Sequence, residues 1–445
     1  MTFVPAQPII TRDQAIEFLY GRIDYERMSA SLSASDFKLD RMRNLLDKID
    51  NPQNRVPAVH IAGTKGKGST AAMIASILQA GGHHVGLFTS PHLERYEERV
   101  RIDDQMIGEH DLVELVNRLA DVTRTIDAQS NGLSPTFFEL TTALAWLWFE
   151  RQRADIAVVE VGLGGRLDST SVCRPEVCVL TTVSRDHMHI LGSRLSDIAA
   201  EKAGIIKSGI PVVSGVSAPE ARAVIENIAA ERGAPLHCID TKTGHDSTAQ
   251  AGAELTGSLS GLHQRRNALI AVSTARILRE RGWRIDDQAI QNGLRSVRCP
   301  VRIEVVSQDP LVVLDAAHNW ASAGALLETL AEHDVSGRRV LIFATSRDKD
   351  VPGLLRRLLG GFDCVVLTEF QSNPRAMPLE QLKEAVRRIT SQPVHSAVTP
   401  NEAWVAATRL CPRDGLICVA GSFFLAAELR AMATKKAGPC EPAEA

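Results

Sequence analysis

The fold of this chain is decided by the segment HIAGTKGKGST, residues 60–70. Before its glycines, residues 56–62 form an apolar run that is typical of a buried strand. After them, residues 71–80 are typical of a helix that ends at Gly81 and Gly82. The order strand, glycine loop and helix predicts a phosphate-binding loop, because glycines let the backbone curl and the helix presents unpaired N–H groups.

The residues of this loop suit a nucleoside triphosphate. Lys67 would reach the β- and γ-phosphates, and Ser69 or Thr70 would offer a hydroxyl. The predicted nucleotide contacts in the loop are Gly63, Thr64, Lys65, Gly66, Lys67, Gly68 and Ser69.

The spacing of the loop departs from the common pattern of phosphate loops, G-x-x-x-x-G-K-[ST]. The first glycine of that pattern would be residue 61, which is Ile61, and Gly68 separates Lys67 from Ser69. A glycine-rich turn without a ligand is the simplest alternative. The strand, the helix, the lysine and the hydroxyls together favour an unusual nucleotide-binding loop.

Helices and short apolar runs alternate along the rest of the chain, which predicts an α/β fold with largely parallel sheets. A first helix is expected over residues 11–28, with Thr11 as its N-cap. Further helices and strands are predicted at 83–88, 137–153, 156–161, 177–182 and 212–216, and, after a boundary, at 311–314, 340–343, 364–367 and 416–420. We therefore expect domains over 1–297 and 298–434, followed by a loose tail over 435–445.

The composition excludes several classes of protein. The formal charge of −3 argues against a general nucleic-acid binder. No apolar run approaches the length of a membrane span, and no signal peptide is visible, so a cytoplasmic protein without a membrane partner is expected. Eight scattered cysteines without a CxxC pair are typical of reduced thiols.

Nine motifs occur in the order found in one known family. They are GTKGKGST (63–70), SPHL (90–93), TFFE (136–139), EVGLGGRLD (160–168), DHMHILG (186–192), EKAGI (201–205), HQRRN (263–267), DAAHN (315–319) and DKD (348–350). This series resembles the folylpolyglutamate synthase and dihydrofolate synthase family of the Mur ligase superfamily. The similarity extends from about residue 20 to about residue 430.

The resemblance implies a two-domain Mur-ligase-like fold. An N-terminal P-loop ATPase domain with a parallel-rich sheet would be followed by a smaller, Rossmann-like C-terminal domain. The implied activity is ATP-dependent addition of L-glutamate to folate, and in bifunctional members to dihydropteroate, through an acyl phosphate. Mg²⁺ is the implied cofactor, and a monomer is expected.

The resemblance also implies roles for single residues. Ser90, Glu160 and His187 would bind the metal, and Arg99, Phe138 and Asp168 would contact the folate. Outside the loop, the implied nucleotide contacts are Asn267 in the first domain and Arg302, Asp315 and His318 in the second. Lys67, His187 and Lys202 would be catalytic.

Each of these residues has a plainer interpretation. Ser90 before Pro91 suits an ordinary turn, and a lone His187 suits a protein core. Phe138 at a helix start is also typical of core packing. Glu160 is a stronger candidate for a metal ligand than the other residues, because a carboxylate that ends a buried strand needs a cation nearby.

Lys202 is predicted at the start of a helix, after Asp197 and Glu201. The resemblance implies that this lysine is carbamylated, whereas its residue type alone suggests a solvated surface position.

The chain departs from the family pattern at Ser171, at Arg185 and at Val301, which stands for a glycine before Arg302. Two other functions stay open. One is a different Mur-type ligase, although only about 60 residues precede the loop and leave no room for an extra N-terminal domain. The other is a P-loop NTPase without ligase activity.

Overall fold

The structure is a computed structural model that describes residues 8–25, 38–129, 133–240, 245–246 and 261–435. The chain divides into two compact units. One comprises Met1–Ser258 with Gln264–Val297, and the other comprises Leu259–His263 with Arg298–Ala445. Residues 436–445 of the predicted tail lie outside the described residues, as do residues 26–28 of the predicted first helix.

Nine strands of the described residues form the sheet of the first unit, in the order β4-β3-β2-β5-β1-β6-β7-β8-β9. The neighbours from β2 to β8 pair in parallel, whereas β3, β4 and β9 pair antiparallel. The strands are β1 (Ala58–Ala62), β2 (Val85–Phe88), β3 (Val100–Ile102), β4 (Gln105–Met106), β5 (Ile156–Glu160), β6 (Pro175–Leu180), β7 (Val212–Ser214), β8 (Leu236–Asp240) and β9 (His245–Asp246).

The central strands β1 and β5 are buried along their whole length, as expected for strands covered on both faces. The helices are α1 (Arg12–Tyr20), α2 (Leu39–Asp47), α3 (Lys67–Ala80), α4 (Glu109–Ala128), α5 (Phe137–Arg151), α6 (Met188–Leu191), α7 (Leu195–Ala203), α8 (Pro219–Glu231), α9 (Leu262–Glu280) and α10 (Asp287–Ser296). No described helix has the length and apolar character needed to cross a membrane.

The second unit contains a smaller sheet in the order β10-β11-β15-β12-β13-β14, which is parallel except for the β10–β11 pair. Its strands are β10 (Glu304–Gln308), β11 (Leu311–Leu314), β12 (Arg339–Phe343), β13 (Cys364–Leu367), β14 (Val394–Ser396) and β15 (Leu416–Ala420). Its helices are α11 (Trp320–Leu330), α12 (Val351–Leu358), α13 (Leu379–Arg387), α14 (Pro400–Leu410) and α15 (Phe423–Lys435).

The predicted α/β class with parallel-rich sheets is confirmed. Strands β11, β13 and β15 have the predicted limits. Thr11 caps α1 as predicted, but the helix ends at Tyr20 rather than continuing to residue 28. Apolar spacing alone overestimated its length, because it does not show where the helical hydrogen bonds stop. The Gly21 N–H still donates to Glu17 O, whereas the Arg22 N–H donates to Leu19 O, three residues back.

The TFFE motif starts α5 with reciprocal hydrogen bonds. The Thr136 hydroxyl accepts from the Glu139 N–H at 3.3 Å, and a Glu139 carboxylate oxygen accepts from the Thr136 N–H at 2.8 Å. The same buried carboxylate accepts from Arg41 Nε of α2 at 3.0 Å. Part of this motif therefore caps a helix and binds a neighbouring helix.

Removal of the Arg41 guanidinium is expected to destabilise the first unit. Arg41 and Glu139 have side chains that are 10% and 7% exposed, so Arg41→Met would leave a buried carboxylate without this cation. We expect a loss of about 3–5 kcal/mol in the free energy of unfolding, measured with urea. Arg43→Met is the matched control, because Arg43 and Asp40 are 64% and 76% exposed and their pair is worth at most about 1 kcal/mol. Equal losses in the two variants would contradict the prediction.

Candidate functional site

The glycine loop leads from β1 directly into α3. Gly66 is the N-cap of α3 with a left-handed backbone, φ +81°, and Lys67 is the first helical residue. The predicted start of this helix at residue 71 was wrong, because residues 67–70 form its first turn. The N–H groups of a first turn have no acceptor within the helix, so glycine and hydroxyl residues are tolerated there. Lys67, Gly68 and Ser69 therefore lie at the positive end of the helix dipole, where an anion is stabilised.

The residues that follow β6 hold the loop in place. The Thr64 N–H donates to Thr182 O at 2.8 Å, and the Lys65 N–H donates to the Thr182 hydroxyl at 3.0 Å. The Thr181 hydroxyl donates to Lys65 O at 2.7 Å. The main-chain N–H groups of Thr64 and Lys65 are thus engaged within the protein, which restricts phosphate contacts from these two residues to their side chains.

Sequence reasoning missed Thr181 and Thr182 as determinants of the loop. Their only local signal is a pair of threonines at the end of the predicted strand 177–182. The register of β1 beside β6 brings them to the loop, since Ala62 pairs with Leu180.

Asn267 supports the loop from α9. It is 5% exposed, and its amide nitrogen donates to Gln264 Oε1 at 3.0 Å. Gln264 in turn contacts the Ser69 hydroxyl at 3.4 Å. A Cβ at Gly66 would lie 2.4 Å from Asn267 Oδ1, so the left-handed glycine and the asparagine fit each other closely.

Gly66→Ala is expected to weaken nucleotide binding. The methyl group would collide with Asn267 and would be strained at φ +81°. We expect the affinity for ADP to fall by about tenfold or more, or about 1.4 kcal/mol, in a calorimetric titration. Gly82→Ala is the matched control, because Gly82 has the same φ of +81° but nothing within 4 Å of its Cβ position. If both variants bound ADP as the unmodified chain does, the contact with Asn267 would be unimportant.

A buried carboxylate lies beside the loop. Glu160, the last residue of β5, is 4% exposed, and its Oε1 lies 3.8 Å from Lys67 Nζ. Its Oε2 accepts from the Ser90 N–H at 3.2 Å, which places the end of β2 next to the end of β5. The expected cation beside Glu160 is therefore present as Lys67. Ser90 and Glu160 come together at the carboxyl edge of the sheet, where ligands of α/β proteins bind.

His187 is not a core histidine. Its side chain is 44% exposed, and it caps α6 with a left-handed φ of +47°. The adjacent Asp186 accepts from the His187 N–H at 3.0 Å, while its Oδ1 lies 3.8 Å from His187 Nε2. His187 follows β6, which is two strands from β5 in the sheet order.

Lys202 lies in the last turn of α7, so its predicted place at a helix start was wrong. It is 5% exposed, and its Nζ donates to Gly63 O at 3.0 Å. The surface interpretation is therefore wrong as well, because α7 packs this side chain inward. Burial, together with the positive charge of Lys67, lowers the pKa of Lys202 from 10.5 to about 7, although the carboxylates of Asp186 and Asp168 oppose the shift.

The buried position of Lys202 predicts a pH-dependent stability in bicarbonate-free buffer. Its pKa is about 7 in the folded chain against an ordinary 10.5, so the unfolded chain binds more protons between these values. This lysine should therefore make the free energy of unfolding rise with pH from about 7 to 10.5. Lys202→Met should have a flatter profile in urea titrations across that range. Parallel profiles for the two proteins would contradict the prediction.

The predicted folate contacts differ in exposure. Phe138 is half-buried, 5.8 Å from Phe88 between ring centroids, whereas the neighbouring Phe137 is fully buried. Arg99 is only 2% exposed, donates from Nε to His92 Nδ1 at 2.7 Å, and lies 5.2 Å over the Phe137 ring. Arg99 thus holds the SPHL segment against α5.

Asp168 organises the glycine-rich segment after β5. Its Oδ2 accepts from the Leu163 N–H at 2.9 Å and its Oδ1 from the Thr170 N–H at 3.0 Å. Burial raises its pKa, and these hydrogen bonds oppose that effect. The carboxylate therefore fixes the turn that presents Gly162–Gly165 at the carboxyl edge.

The second unit contains the remaining predicted nucleotide contacts. Asp315 Oδ2 accepts from the Ile303 N–H and Oδ1 from the Ala317 N–H, each at 2.8 Å. Burial raises the pKa of Asp315 to about 6, although Arg302 counteracts it. His318 Nδ1 lies 2.9 Å from Ala316 O, so that nitrogen carries the proton in a hydrogen bond. These contacts fix the DAAHN turn after β11.

Comparisons with known proteins agree with this architecture. Residues 61–275 match the Mur ligase middle domain, and residues 301–423 match the Mur ligase glutamate ligase domain. A dihydrofolate synthase/folylpolyglutamate synthase of Bacillus subtilis is 37% identical over 72% of this chain and 78% of its own. A folylpolyglutamate synthase of Lacticaseibacillus casei is 35% identical over 88% and 93%.

A solved structure extends the similarity to three dimensions. The folylpolyglutamate synthase of Mycobacterium tuberculosis, complexed with ADP and AMPPCP, superposes with a TM-score of 0.83 at 31% identity. The match covers 94% of this chain and 97% of that protein.

Proposed function

The chain belongs to the folylpolyglutamate synthase and dihydrofolate synthase family of Mur ligases, and from this we propose that it joins L-glutamate to a folate carboxylate. It is an ATP-dependent, ADP-forming ligase of that family. The observation that carries the assignment of the site is the pair formed by half-buried Lys67 and buried Glu160 beside the glycine loop. A cation and a carboxylate at the positive end of a helix suit a phosphoryl group and its metal.

The proposed reaction has two steps. A folate carboxylate oxygen attacks the γ-phosphorus of ATP, which forms an acyl phosphate and releases ADP. The amine of L-glutamate then attacks the acyl carbon, expels phosphate and loses a proton, which leaves an amide. Lys67 and the first-turn N–H groups of α3 would neutralise the transferring phosphoryl oxygens and hold them in line.

Two of the three proposed metal ligands, Ser90 and Glu160, offer the oxygen donors that Mg²⁺ prefers. Glu160 offers a buried carboxylate, and Ser90, whose N–H already contacts it, offers a hydroxyl nearby. His187, half exposed at the same edge, is the third proposed ligand. The bound ion would supply charge neutralisation between the phosphates and the carboxylate.

We propose the other contacts by position. Gly63, Gly66, Gly68 and Ser69 would hold the phosphates, together with Asn267 behind them. Arg302, Asp315 and His318 would hold the rest of the nucleotide. Phe138 offers a half-buried ring for a pterin, while Arg99 and Asp168 would act through the segments that they fix.

The testing experiment measures ADP release by the purified chain with and without each substrate. We expect release to require both a folate and L-glutamate, and the product to gain one glutamate by mass spectrometry. ADP release that is indifferent to both would indicate a P-loop NTPase without ligase activity. Release that requires a different carboxylate and amine would indicate another Mur-type ligase.

Dihydropteroate is a second proposed substrate. The Bacillus subtilis relative bears the names of both activities, whereas the Lacticaseibacillus casei relative bears one. Complementation of strains that lack each activity separately would distinguish the two. We further propose a cytoplasmic monomer, whose mass in solution can be measured by light scattering.

A further inference from the structure

A cavity of about 490 Å³ lies in the first unit, away from the glycine loop. Its wall includes Pro175, the first residue of β6, and Gln53, which precedes β1. It therefore lies at the amino edge of the sheet, whereas the glycine loop follows the carboxyl end of β1. The five residues of β1 separate the two edges by roughly 16 Å, at about 3.3 Å per residue.

The charges around this cavity are unbalanced. Arg43, Arg174 and Lys207 line it, against the single carboxylate of Asp47. That carboxylate already accepts from the Asn51 amide at 2.9 Å. The excess of cations favours a ligand with two negative charges, because focused positive potential in a concave site attracts anions.

The three cations of the cavity differ in the hydrogen bonds and ion pairs that they form within the protein. Lys207 Nζ donates to Ser171 O at 2.8 Å, which fixes its ammonium at the wall and leaves two further hydrogens. Within the part of the chain that the structure describes, Arg43 forms an ion pair only with the exposed Asp40, at 3.3 Å. Among the described residues, the Arg174 guanidinium has no hydrogen-bond or ion-pair partner. A guanidinium of this kind suits two oxygens of a carboxylate or phosphate.

A second observation concerns Gln53. This residue is 5% exposed and lines the cavity, and its Nε2 donates to Asn51 Oδ1 at 2.9 Å. Within the described chain its carbonyl oxygen is buried without a hydrogen-bond partner. A buried acceptor of this kind is costly unless a donor reaches it. The cavity wall covers this oxygen, so a ligand hydroxyl would reach it through a small shift of the Gln53 side chain.

We propose that this cavity binds a small dianion that carries a hydroxyl group. The anionic groups would lie against Arg174, Lys207 and Arg43, and the hydroxyl would donate to Gln53. A hydroxy-dicarboxylate and a hydrogen phosphate group both have this chemistry. The size of the cavity is in the ordinary range for small-molecule sites.

The test is a calorimetric titration of the full chain with L-malate, succinate and inorganic phosphate. L-Malate should bind several-fold more tightly than succinate, which lacks only the hydroxyl. Equal affinities would overturn the role of Gln53. Tighter binding of phosphate than of malate would identify a phosphoryl group as the preferred anion, and the reverse order would identify a dicarboxylate.

Substitutions of the cavity arginines test whether the anion binds in this cavity. Arg174→Gln should weaken the binding of L-malate by about tenfold or more. Arg295→Gln is the matched control, since Arg295 is an exposed arginine of α10 outside the cavity, and it should bind as the unmodified chain does. Arg43→Gln provides a second variant if Arg174→Gln folds poorly. The proposal is overturned if no anion binds, or if these variants bind L-malate as tightly as the control.

Discussion

Lys67→Met is expected to lower the rate of folate-dependent ADP formation by about 100-fold to 1,000-fold. Lys67 begins α3, and its side chain is 17% exposed and points its ammonium to within 3.8 Å of Glu160. Lys65 is the other lysine of the loop, but it precedes the helix, whereas Lys67 both begins α3 and lies beside a buried carboxylate. Removal of the ammonium would leave the transferring phosphoryl group without its nearest protein cation.

The measurement is a coupled assay of ADP with saturating ATP, folate and L-glutamate. Lys48→Met is the control, because Lys48 is exposed at the end of α2 and should change the rate by at most about twofold. A rate within tenfold of the unmodified enzyme would contradict a catalytic role for Lys67.

A double variant tests how Lys67 affects stability. Lys67→Met also removes the cation beside the buried Glu160 carboxylate, which should lower the melting temperature. Adding Glu160→Gln removes the buried charge, so the melting temperature should recover in part. The activity of the double variant should stay low, because it also lacks the proposed metal ligand. A Lys67→Met chain that keeps its melting temperature but loses activity would show that the loss does not come from instability.

Lys202→Ala is expected to lower ligase activity by about 100-fold. The family resemblance implies a carbamylated lysine, and the structure adds a physical reason. Only a neutral amine adds CO₂, and a pKa of about 7 leaves about half of the Lys202 side chains neutral at pH 7. The reaction forms an N–C bond, turns the amine into an anionic carbamate and releases one proton.

Two measurements distinguish the carbamate from a purely structural lysine. With ¹³C-bicarbonate, the unmodified chain should show a carbamate carbon signal that is absent in Lys202→Ala. Propionate should restore part of the activity of Lys202→Ala, because it supplies a carboxylate in the space left by the side chain. Full activity of Lys202→Ala would refute the catalytic role. Low activity without a carbamate signal would assign Lys202 to holding Gly63 O instead.

Local pattern was sufficient for the alternation of helices and strands, for several of their limits and for the strand, glycine loop and helix at residues 58–80. It did not predict short elements such as β3, β4 and β14. Apolar runs of five residues, glycines and capping residues act within a few positions of one another, so their effect is visible along the chain. Thr11, the limits of β11 and the strand before Gly63 are examples. The irregular spacing of the loop also indicated a ligase family rather than a common NTPase.

The tertiary structure alone decided which distant groups meet that loop. Lys202 Nζ reaches Gly63 O across 139 residues, and Thr182 reaches Lys65 across 117. Periodicity indicates which face of a helix is buried, but it does not encode which remote segment covers that face. The sequence by itself determined a glycine loop between a buried strand and a helix, from which phosphate binding at Gly63–Ser69 is predicted. Packing determined the burial of Lys202 and Glu160, because burial depends on all neighbours of a side chain at once.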